Sequence, residues 1–381
     1  IDGQPMFKLL DKVKKLENEG KNIIHFEIGD PDFETPKNIS NAGIDAIKNG
    51  FTHYVSSSGL TEFREKICQT TEMSRGFKPN LDQVLVTPGA NIAIFYAISC
   101  IVNPGEEIIV PDPGFPTYYS TIKMCDAKAV RIPLLESNKF RMNPKDIENS
   151  ITEKTRMIII NSPQNPTGSV MTEEEIKMTY DIAKKHDLFL YSDEIYARMI
   201  YKDSAFSSPS RYDKCQERTI ISNGFSKAFA MTGWRLGAVI GPSQVIEKMK
   251  LLLETTSSCV PPFIQKAGIE AIEGEQISQK NMYAEYEKRR DLIVNGINSV
   301  AGLDCITPGG AFYVFVNIKK TGMTSEAFCE YMLEDAGVAM LPGTSFGQFG
   351  EGFIRICYAI RQNEINDALE RIKKSISRLN L

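Results

Sequence analysis

The feature that most constrains the fold is a regular alternation between residues 80 and 240. Short apolar runs rich in β-branched residues alternate there with segments of helical spacing, which is typical of β–α units repeated around a mostly parallel sheet. Each run is closed by Pro, Gly, Asn or Asp. The predicted strands are 84–86, 107–110, 156–160, 188–191, 219–222 and 236–240. We therefore predict an α/β fold that binds its ligands in the loops after the strands.

The two ends of the chain differ from this central part. Residues 6–19 have the charged amphipathic pattern of a helix. Residues 275–381 mix long helical patterns and Gly-rich turns with apolar runs at 312–316 and 352–357 that are typical of strands. Both ends are therefore expected to form a second, α+β domain. The predicted domains are a large one over 41–275 and a smaller one built from 1–40 and 276–381.

Composition argues against several classes of protein. Lys and Arg number 44 against 48 Asp and Glu, a net charge of −4 that offers no basic field to a nucleic acid, so we expect no such partner. The longest apolar run, 92–102, is far shorter than the roughly 20 residues that span a membrane, so no membrane association is expected. The eight cysteines include no Cys-x-x-Cys pair. This pattern is typical of reduced thiols, so we expect a cytoplasmic protein without a metal site.

The most informative stretch lies between the last two strands predicted in this central part. It reads SNGFSKAFAMTGWRLG over residues 222–237 and places Lys227 among small and apolar residues. Most lysines are solvated surface residues. Desolvation, however, can keep an amine partly neutral, and a neutral amine forms a Schiff base with an aldehyde. Arg235 lies between Gly233 and Gly237, which allow a ligand to come close to the backbone. Its guanidinium either has a structural role or binds a phosphate or carboxylate.

Two other predicted strands end in polar residues. Asn165 lies in the loop NSPQNPTG that follows residue 160, where it either forms a plain turn or donates an amide hydrogen bond. Asp193 and Tyr196 follow residue 191, where the aspartate either caps the next helix or faces a ligand. Because the carboxyl ends of parallel strands meet at one edge of a sheet, these side chains are expected to lie beside the same crevice.

These segments are among eight ordered motifs that extend over nearly the whole chain. They lie at 26–36, 54–59, 87–91, 111–118, 161–168, 192–196, 222–237 and 353–356. Together they resemble the fold-type I aminotransferases of class I, the aspartate aminotransferase-like group that uses pyridoxal phosphate. The resemblance implies transfer of an amino group between an α-amino acid and a keto acceptor by a ping-pong mechanism. The alternatives are a carbon–sulfur or other α-amino acid lyase and a catalytically inactive regulatory protein of the same fold.

The resemblance also implies roles for individual residues at the cofactor ring. Lys227 would hold the cofactor covalently and then move the proton on the substrate Cα. Asp193 would face the pyridine nitrogen, and Asn165 and Tyr196 would bind the 3-oxygen. Phe115 matches the aromatic position that stacks on the ring. Lys227, Asp193 and Tyr196 are thus the expected catalytic residues.

A phosphate site is implied at the start of a predicted helix. The backbone N–H groups of Gly89, Ala90 and Asn91 would bind the phosphate there. The resemblance adds the charge of Arg235 and the hydroxyl of Ser226 to this site. Phosphate binding would therefore involve two segments of the large domain.

Three further residues are implied in substrate binding and assembly. Arg355 matches the arginine that grips the substrate α-carboxylate, and Gly29 matches a glycine in the loop that covers the substrate, where Asn165 also contributes. Tyr54 of the partner subunit would reach the phosphate, so we expect a homodimer with shared active sites. Aspartate-preferring members of the group commonly carry a basic residue where this chain has neutral Asn91. A residue that would bind the side-chain carboxylate of a substrate is therefore not evident.

Overall fold

The computed structural model describes residues 5–379, and a seven-stranded sheet lies at its centre. The strands found in all sheets of the described residues are β1 (Ile24–His25), β2 (Val84–Thr87), β3 (Glu107–Asp112), β4 (Lys128–Pro133), β5 (Thr155–Asn161), β6 (Phe189–Asp193), β7 (Thr219–Gly224), β8 (Gly237–Ile240), β9 (Asp304–Cys305), β10 (Tyr313–Asn317), β11 (Val338–Ala339), β12 (Leu341–Pro342) and β13 (Phe353–Cys357). The large sheet has the order β2-β8-β7-β6-β5-β3-β4. All its neighbours are parallel except β8, which is antiparallel to both β2 and β7. The predicted mostly parallel α/β sheet is confirmed, and the half-exposed edge strand β4 is an addition.

Side chains that alternate along the central strands divide the core into two layers. Ile108 and Val110 of β3 pack on one face, whereas Ile109 between them packs on the other. This period of two is the pattern of a strand buried on both sides, and helices cover both faces. The helices are α1 (Pro5–Asn18), α2 (Lys37–Lys48), α3 (Thr61–Arg75), α4 (Ala90–Ile101), α5 (Pro116–Met124), α6 (Pro144–Asn149), α7 (Glu173–Lys185), α8 (Ser210–Asp213), α9 (Phe225–Ala228), α10 (Ser243–Ser257), α11 (Pro262–Glu273), α12 (Ile277–Asn298), α13 (Ser325–Tyr331) and α14 (Gln362–Ile376).

Local sequence accounts for where individual helices begin. The hydroxyl of Thr172 accepts a hydrogen bond from the Glu175 N–H at 3.2 Å, and the Glu175 carboxylate accepts one from the Thr172 N–H at 2.8 Å. This capping box satisfies N–H groups that have no partner inside α7. Gly89 precedes α4 with a φ of 85°, a left-handed conformation that glycine adopts without strain. The start of α4 therefore projects N–H groups beside the end of β2.

A smaller antiparallel sheet of order β12-β13-β10-β9 packs beside the large one. The parallel pair β1–β11 joins the N-terminal segment to the C-terminal part of the chain. The domain boundaries at 40/41 and 275/276 stay predictions, and residues 1–4 and 380–381 of the smaller predicted domain lie outside the described part.

Among the described residues, no helix is long and apolar enough to cross a membrane, and no cluster of His, Cys, Asp and Glu suits a metal ion.

Candidate active site

A cavity of about 550 Å³ lies where the carboxyl ends of β5, β6 and β7 face the middle of β13. The sequence-predicted residues that line it are Gly29, Ala90, Asn91, Phe115, Asn165, Asp193, Tyr196, Ser226, Lys227, Arg235 and Arg355. Larger clefts of about 680 and about 880 Å³ elsewhere on the described surface hold none of these residues. The convergence of polar groups, rather than volume, therefore identifies the candidate site.

Lys227 extends into this cavity from the short helix α9, which follows directly on β7. Its Nζ donates a hydrogen bond to the carbonyl oxygen of Gly29 and lies 5.7 Å from the centroid of the Phe312 ring. Burial lowers the pKa of this amine to about 8, while the negative charge of Asp30 opposes that shift. Near neutral pH the amine therefore has a far larger uncharged fraction than an exposed lysine does.

Asp193 ends β6 and is only 6% exposed. Its Oδ2 accepts a hydrogen bond of 2.6 Å from the Tyr118 hydroxyl, and its Oδ1 accepts one of 3.2 Å from the Ile195 N–H. Burial raises the pKa of the carboxyl to about 6, although both hydrogen bonds act in the opposite direction. Because both donors are neutral, this buried carboxylate is suited to a cationic ligand group.

Tyr196 and Tyr313 form a buried pair of phenols at the boundary between the two sheets. Their hydroxyl oxygens lie 2.8 Å apart, and burial raises the pKa of Tyr196 well above its ordinary value. A Cβ placed on Gly29 would collide with the Tyr313 hydroxyl, so only glycine allows that segment to approach. Burial also raises the pKa of Tyr313, so both phenols are protonated at neutral pH.

Arg355 lies in the middle of β13 and is 2% exposed. Its Nη2 donates to the Glu27 carbonyl oxygen and its Nη1 donates to Asn165 Oδ1 at 3.3 Å, while its Nε is buried without a partner. The guanidinium packs against the rings of Tyr313 and Phe346, at 4.6 and 4.9 Å from their centroids. A buried guanidinium that keeps an unused donor is suited to a carboxylate ligand.

The start of α4 and Arg235 form the opposite end of the cavity. A Cβ placed on Gly237 would lie 2.7 Å from the Gly89 carbonyl carbon and 2.8 Å from the Ala90 nitrogen, so the two segments can approach only at glycine. Arg235 has a φ of 54°, and its Nη1 donates to the Thr232 carbonyl oxygen at 2.8 Å. N–H groups at a helix start, beside a guanidinium, form an anion site.

The other sequence-predicted residues differ in their surroundings. Phe115 packs edge-to-face on Tyr118, with ring centroids 5.7 Å apart. Ser226 is buried in α9, whereas Asn91 is exposed in the first turn of α4. Tyr54 lies outside the cavity lining, and 87% of it is exposed. Within one subunit, the structure therefore does not bring Tyr54 to the site.

Sequence reasoning missed Tyr118, which lies outside the cavity lining and binds Asp193, and two residues that line the cavity, Tyr313 and Phe346. Tyr118 lay inside a recognised motif, and its position three residues after Phe115 could have indicated that both face the same way from α5. Tyr313 lay on a predicted strand without any signal that its hydroxyl meets Tyr196. Phe346 follows a short turn whose sequence predicts neither a helix nor a strand. These contacts are between residues distant in sequence, which local patterns do not encode.

Comparison with known proteins supports the geometry. The sequence profile of aminotransferase class I and II matches residues 21–372. The chain belongs to this family.

An aspartate aminotransferase of Pyrococcus horikoshii is 40% identical over 97% of this chain and 93% of that protein. The aromatic-amino-acid aminotransferase 2 of Thermococcus litoralis is 38% identical over 96% of this chain and 94% of that protein. The crystal structure of aspartate aminotransferase from Rhizobium meliloti has a TM-score of 0.95 at 34% identity, covering 99% of this chain and 97% of that one.

The chain is therefore an aminotransferase that uses pyridoxal phosphate and acts on amino acids and keto acids. Transamination, rather than the lyase or inactive-regulator alternatives, is the activity that these relatives carry. The cavity fits the cofactor on independent grounds. Lys227 offers an amine with a lowered pKa, Asp193 offers a carboxylate suited to a cationic ring nitrogen, and the start of α4 with Arg235 offers an anion site.

Proposed function

We propose that Lys227, Asp193 and Arg355 carry the reaction of this aminotransferase. The supporting observation is that an amine with a lowered pKa, a buried carboxylate and a buried guanidinium line one cavity. When bound, pyridoxal phosphate supplies an aldehyde that condenses with amines and a ring that takes up carbanion charge. Lys227 Nζ would hold the cofactor and would move the proton on the substrate Cα. The Asp193 carboxylate binds the protonated ring nitrogen and keeps it charged.

The same proposal assigns the remaining contacts of the cofactor ring and phosphate. The Tyr196 hydroxyl and the Asn165 amide bind the 3-oxygen, and Phe115 packs on the ring. The proposed phosphate ligands are the backbone of Gly89, Ala90 and Asn91, the side chains of Ser226 and Arg235, and Tyr54 of the partner subunit. Tyr54 is 87% exposed in a single subunit. In a homodimer with shared active sites, its phenol would bind the phosphate held by the other subunit. We also propose that the protein is cytoplasmic and that its two domains divide at 40/41 and 275/276.

Arg355 binds the α-carboxylate of the substrate through its unused Nε and its adjacent amino group. Gly29 lets the covering segment approach, as its contact with Lys227 supports. With Lys227, Arg235 and Arg355 engaged, the cavity keeps no other cation among the described residues, and Asp30 adds a negative charge at its lining. The rest of the wall is mainly apolar: Leu10, Ile28, Ile94, Phe115, Leu341 and Phe346.

This lining favours donors with an apolar or aromatic side chain over donors with a second carboxylate. Burying an unpaired carboxylate beside Asp30 would cost its desolvation and add repulsion. The donor class of the Thermococcus litoralis relative, aromatic amino acids by its name, therefore suits this cavity better than aspartate. Lys227, Asp193 and Arg355 serve the same steps with either donor.

Two measurements test the proposal. Borohydride reduction of the cofactor-loaded protein followed by peptide mapping is expected to label Lys227, with exposed Lys280 as the matched unlabelled residue. A label on any other lysine would overturn the assignment. Rapid mixing with single donors, followed by absorbance, is expected to show faster half-reactions with phenylalanine or leucine than with aspartate. Equal or faster reaction with aspartate would reject the proposed donor class and leave the role of Lys227 intact.

A further inference from the structure

A buried ion pair lies directly behind Asp193, outside the cavity. Glu194 follows Asp193 in the chain, and its side chain is completely buried. Its Oε2 accepts hydrogen bonds from Arg75 Nε at 3.0 Å and Arg75 Nη2 at 2.5 Å. Its Oε1 accepts hydrogen bonds from the hydroxyls of Ser192 at 3.2 Å and Ser208 at 2.5 Å. Both carboxylate oxygens are thus engaged, which is the condition for burying a charge.

The same pair joins the ends of two strands. The Glu194 N–H donates to the Ser222 carbonyl oxygen at 2.9 Å. In its favourable orientation, the Asn223 amide donates to the Glu194 carbonyl oxygen at 2.9 Å and accepts from Arg75 Nη2 at 3.1 Å. Arg75, the last residue of α3, therefore holds the end of β6 that bears Asp193 against the end of β7 that leads to Lys227.

We propose that Arg75 and Glu194 are positioning residues for Asp193: their ion pair fixes the end of β6 and opposes the charge of Glu194, so that Asp193 stays anionic when it meets the cofactor ring. The proposal rests on the role proposed above for Asp193. Neither Arg75 nor Glu194 lines the cavity, so both act through their neighbour. The charge of Glu194 favours protonation of Asp193, and without Arg75 it would do so more strongly.

Among the charged groups, Glu194 acts on Asp193, Arg75 is paired with Glu194, and Arg198 adds a positive charge that acts on Arg75. The other titratable groups are Tyr118 from α5 and Tyr191 from β6, which face Asp193, and Cys215 from the turn after α8, which faces Glu194. Burial raises the pKa of all three well above its ordinary value, so they are uncharged at neutral pH. The sign of the local field therefore depends on whether Glu194 and Arg75 are both present.

The test is the affinity of the full chain for pyridoxal phosphate, measured by absorbance titration from about pH 5 to pH 9. In the unchanged protein the affinity is expected to fall as the pH falls through about 6, the pKa of Asp193. Arg75→Met leaves Glu194 unpaired and is expected to move this midpoint upward by about one pH unit. Glu194→Gln leaves Arg75 unpaired and is expected to move it downward. The double variant is expected to return towards the original midpoint, and Arg75→Lys to lie between the original and Arg75→Met.

The matched control is Arg141→Met, which breaks another ion pair, between Arg141 and Glu175, away from the cavity. It is expected to leave the midpoint unchanged. Structural damage alone would weaken binding in both single variants without opposite shifts, and the double variant would be no better than the worse single one; that pattern overturns the proposal. If Arg75→Met does not fold, Glu194→Gln and Arg75→Lys still carry the test, because an unshifted midpoint in both rejects it. Should Asp193→Asn leave the affinity and its pH dependence intact, the role of Asp193 itself fails.

Discussion

Tyr118 donates a hydrogen bond to Asp193 across 75 positions of sequence, with 2.6 Å between the phenol oxygen and Oδ2. The tyrosine is fully buried, and its pKa is raised well above its ordinary value by burial first and by the charge of Asp193 second. It is therefore a fixed donor that lowers the pKa of Asp193 against the effect of burial. The ionisation of the candidate cofactor partner, which ends strand β6, thus depends on a residue from helix α5.

The variant Tyr118→Phe is expected to raise the pKa of Asp193 above about 6 and to weaken cofactor binding. A hydrogen bond to a charged group contributes about 1.5 to 3 kcal/mol, so affinity at neutral pH should fall roughly ten-fold or more. Absorbance titration with pyridoxal phosphate measures this loss. Tyr119→Phe is the control, since that hydroxyl donates to the carbonyl oxygens of Pro111 and Phe346 and not to Asp193. Equal affinities of the two variants would contradict the prediction.

The reactivity of Lys227 is expected to increase as the pH rises through about 8, because the pKa of the buried amine is lowered to that value and the uncharged form is the nucleophile. Asp30→Asn removes a charge that raises this pKa, so the midpoint should move below about 8. The rate at which cofactor-free protein combines with pyridoxal phosphate, followed by stopped-flow absorbance, gives the profile. Exposed Glu34→Gln is the control in the same segment. A midpoint that does not move in Asp30→Asn would exclude the charge effect.

Replacing the substrate-binding guanidinium should affect the substrate more than the cofactor. Arg355→Lys keeps a positive charge but loses the planar fork that contacts a carboxylate through two N–H groups. The KM for the donor amino acid is expected to rise roughly ten- to a hundred-fold, with cofactor affinity nearly unchanged. Steady-state kinetics and cofactor titration separate these effects. An unchanged KM would mean that the carboxylate binds elsewhere.

The shared-site homodimer predicts that two defective subunits complement each other. In a heterodimer of Tyr54→Phe and Lys227→Ala subunits, one site carries both defects and the other carries neither. Mixing the inactive and impaired parents should therefore restore up to about half of the normal site capacity. Differently tagged subunits allow the heterodimer to be purified before the assay. If Tyr54 served its own subunit, each site would keep one defect, and purified heterodimers would show no rescue.

His25 is expected to make the stability of the N-terminal segment depend on pH. Its ring nitrogens lie 2.7 Å from the buried Glu27 Oε1 and 3.0 Å from Glu17 Oε1, and these carboxylates raise its pKa to about 9. Because the folded chain retains a proton that the unfolded chain releases near pH 6.5, this stabilisation is complete below pH 6.5 and is lost as the pH rises through about 9.

Thermal unfolding of the protein and of His25→Gln between about pH 6 and pH 10 checks this expectation. The difference in melting temperature between the two should be largest at the acidic end and shrink towards pH 10. His186→Gln is the control, because that ring lies 3.7 Å from Glu148 Oε1, at the end of α7 and away from the N-terminal segment. A difference that stays constant over the whole range would show that the proton on His25 contributes nothing to folding.

The sequence alone determined the large sheet and the polar side chains that follow the carboxyl ends of its strands. Alternation of β-branched runs with helical spacing reports burial on both sides of a strand, which is a local property of the chain. Turn residues indicate where the strands end, so the sequence is sufficient to predict that Asn165, Asp193 and Lys227 lie beside one crevice. The predicted strands at 312–316 and 352–357 likewise correspond to β10 and β13, each within one residue at its start. The edge strand β4 was missed, because its half-exposed residues have no continuous apolar run.

Only the tertiary structure decided which neighbours set the chemistry of those side chains. The contacts of Asp193 with Tyr118, and of Glu194 with Arg75, join elements that are 75 and 119 positions apart. Arg355 reaches Asn165 across 190 positions from the other sheet. Local periodicity carries no record of such contacts. Desolvation and the charges of spatial neighbours, which exist only once the chain is packed, then bring the amine of Lys227 to a pKa near 8 and the carboxyl of Asp193 to a pKa near 6.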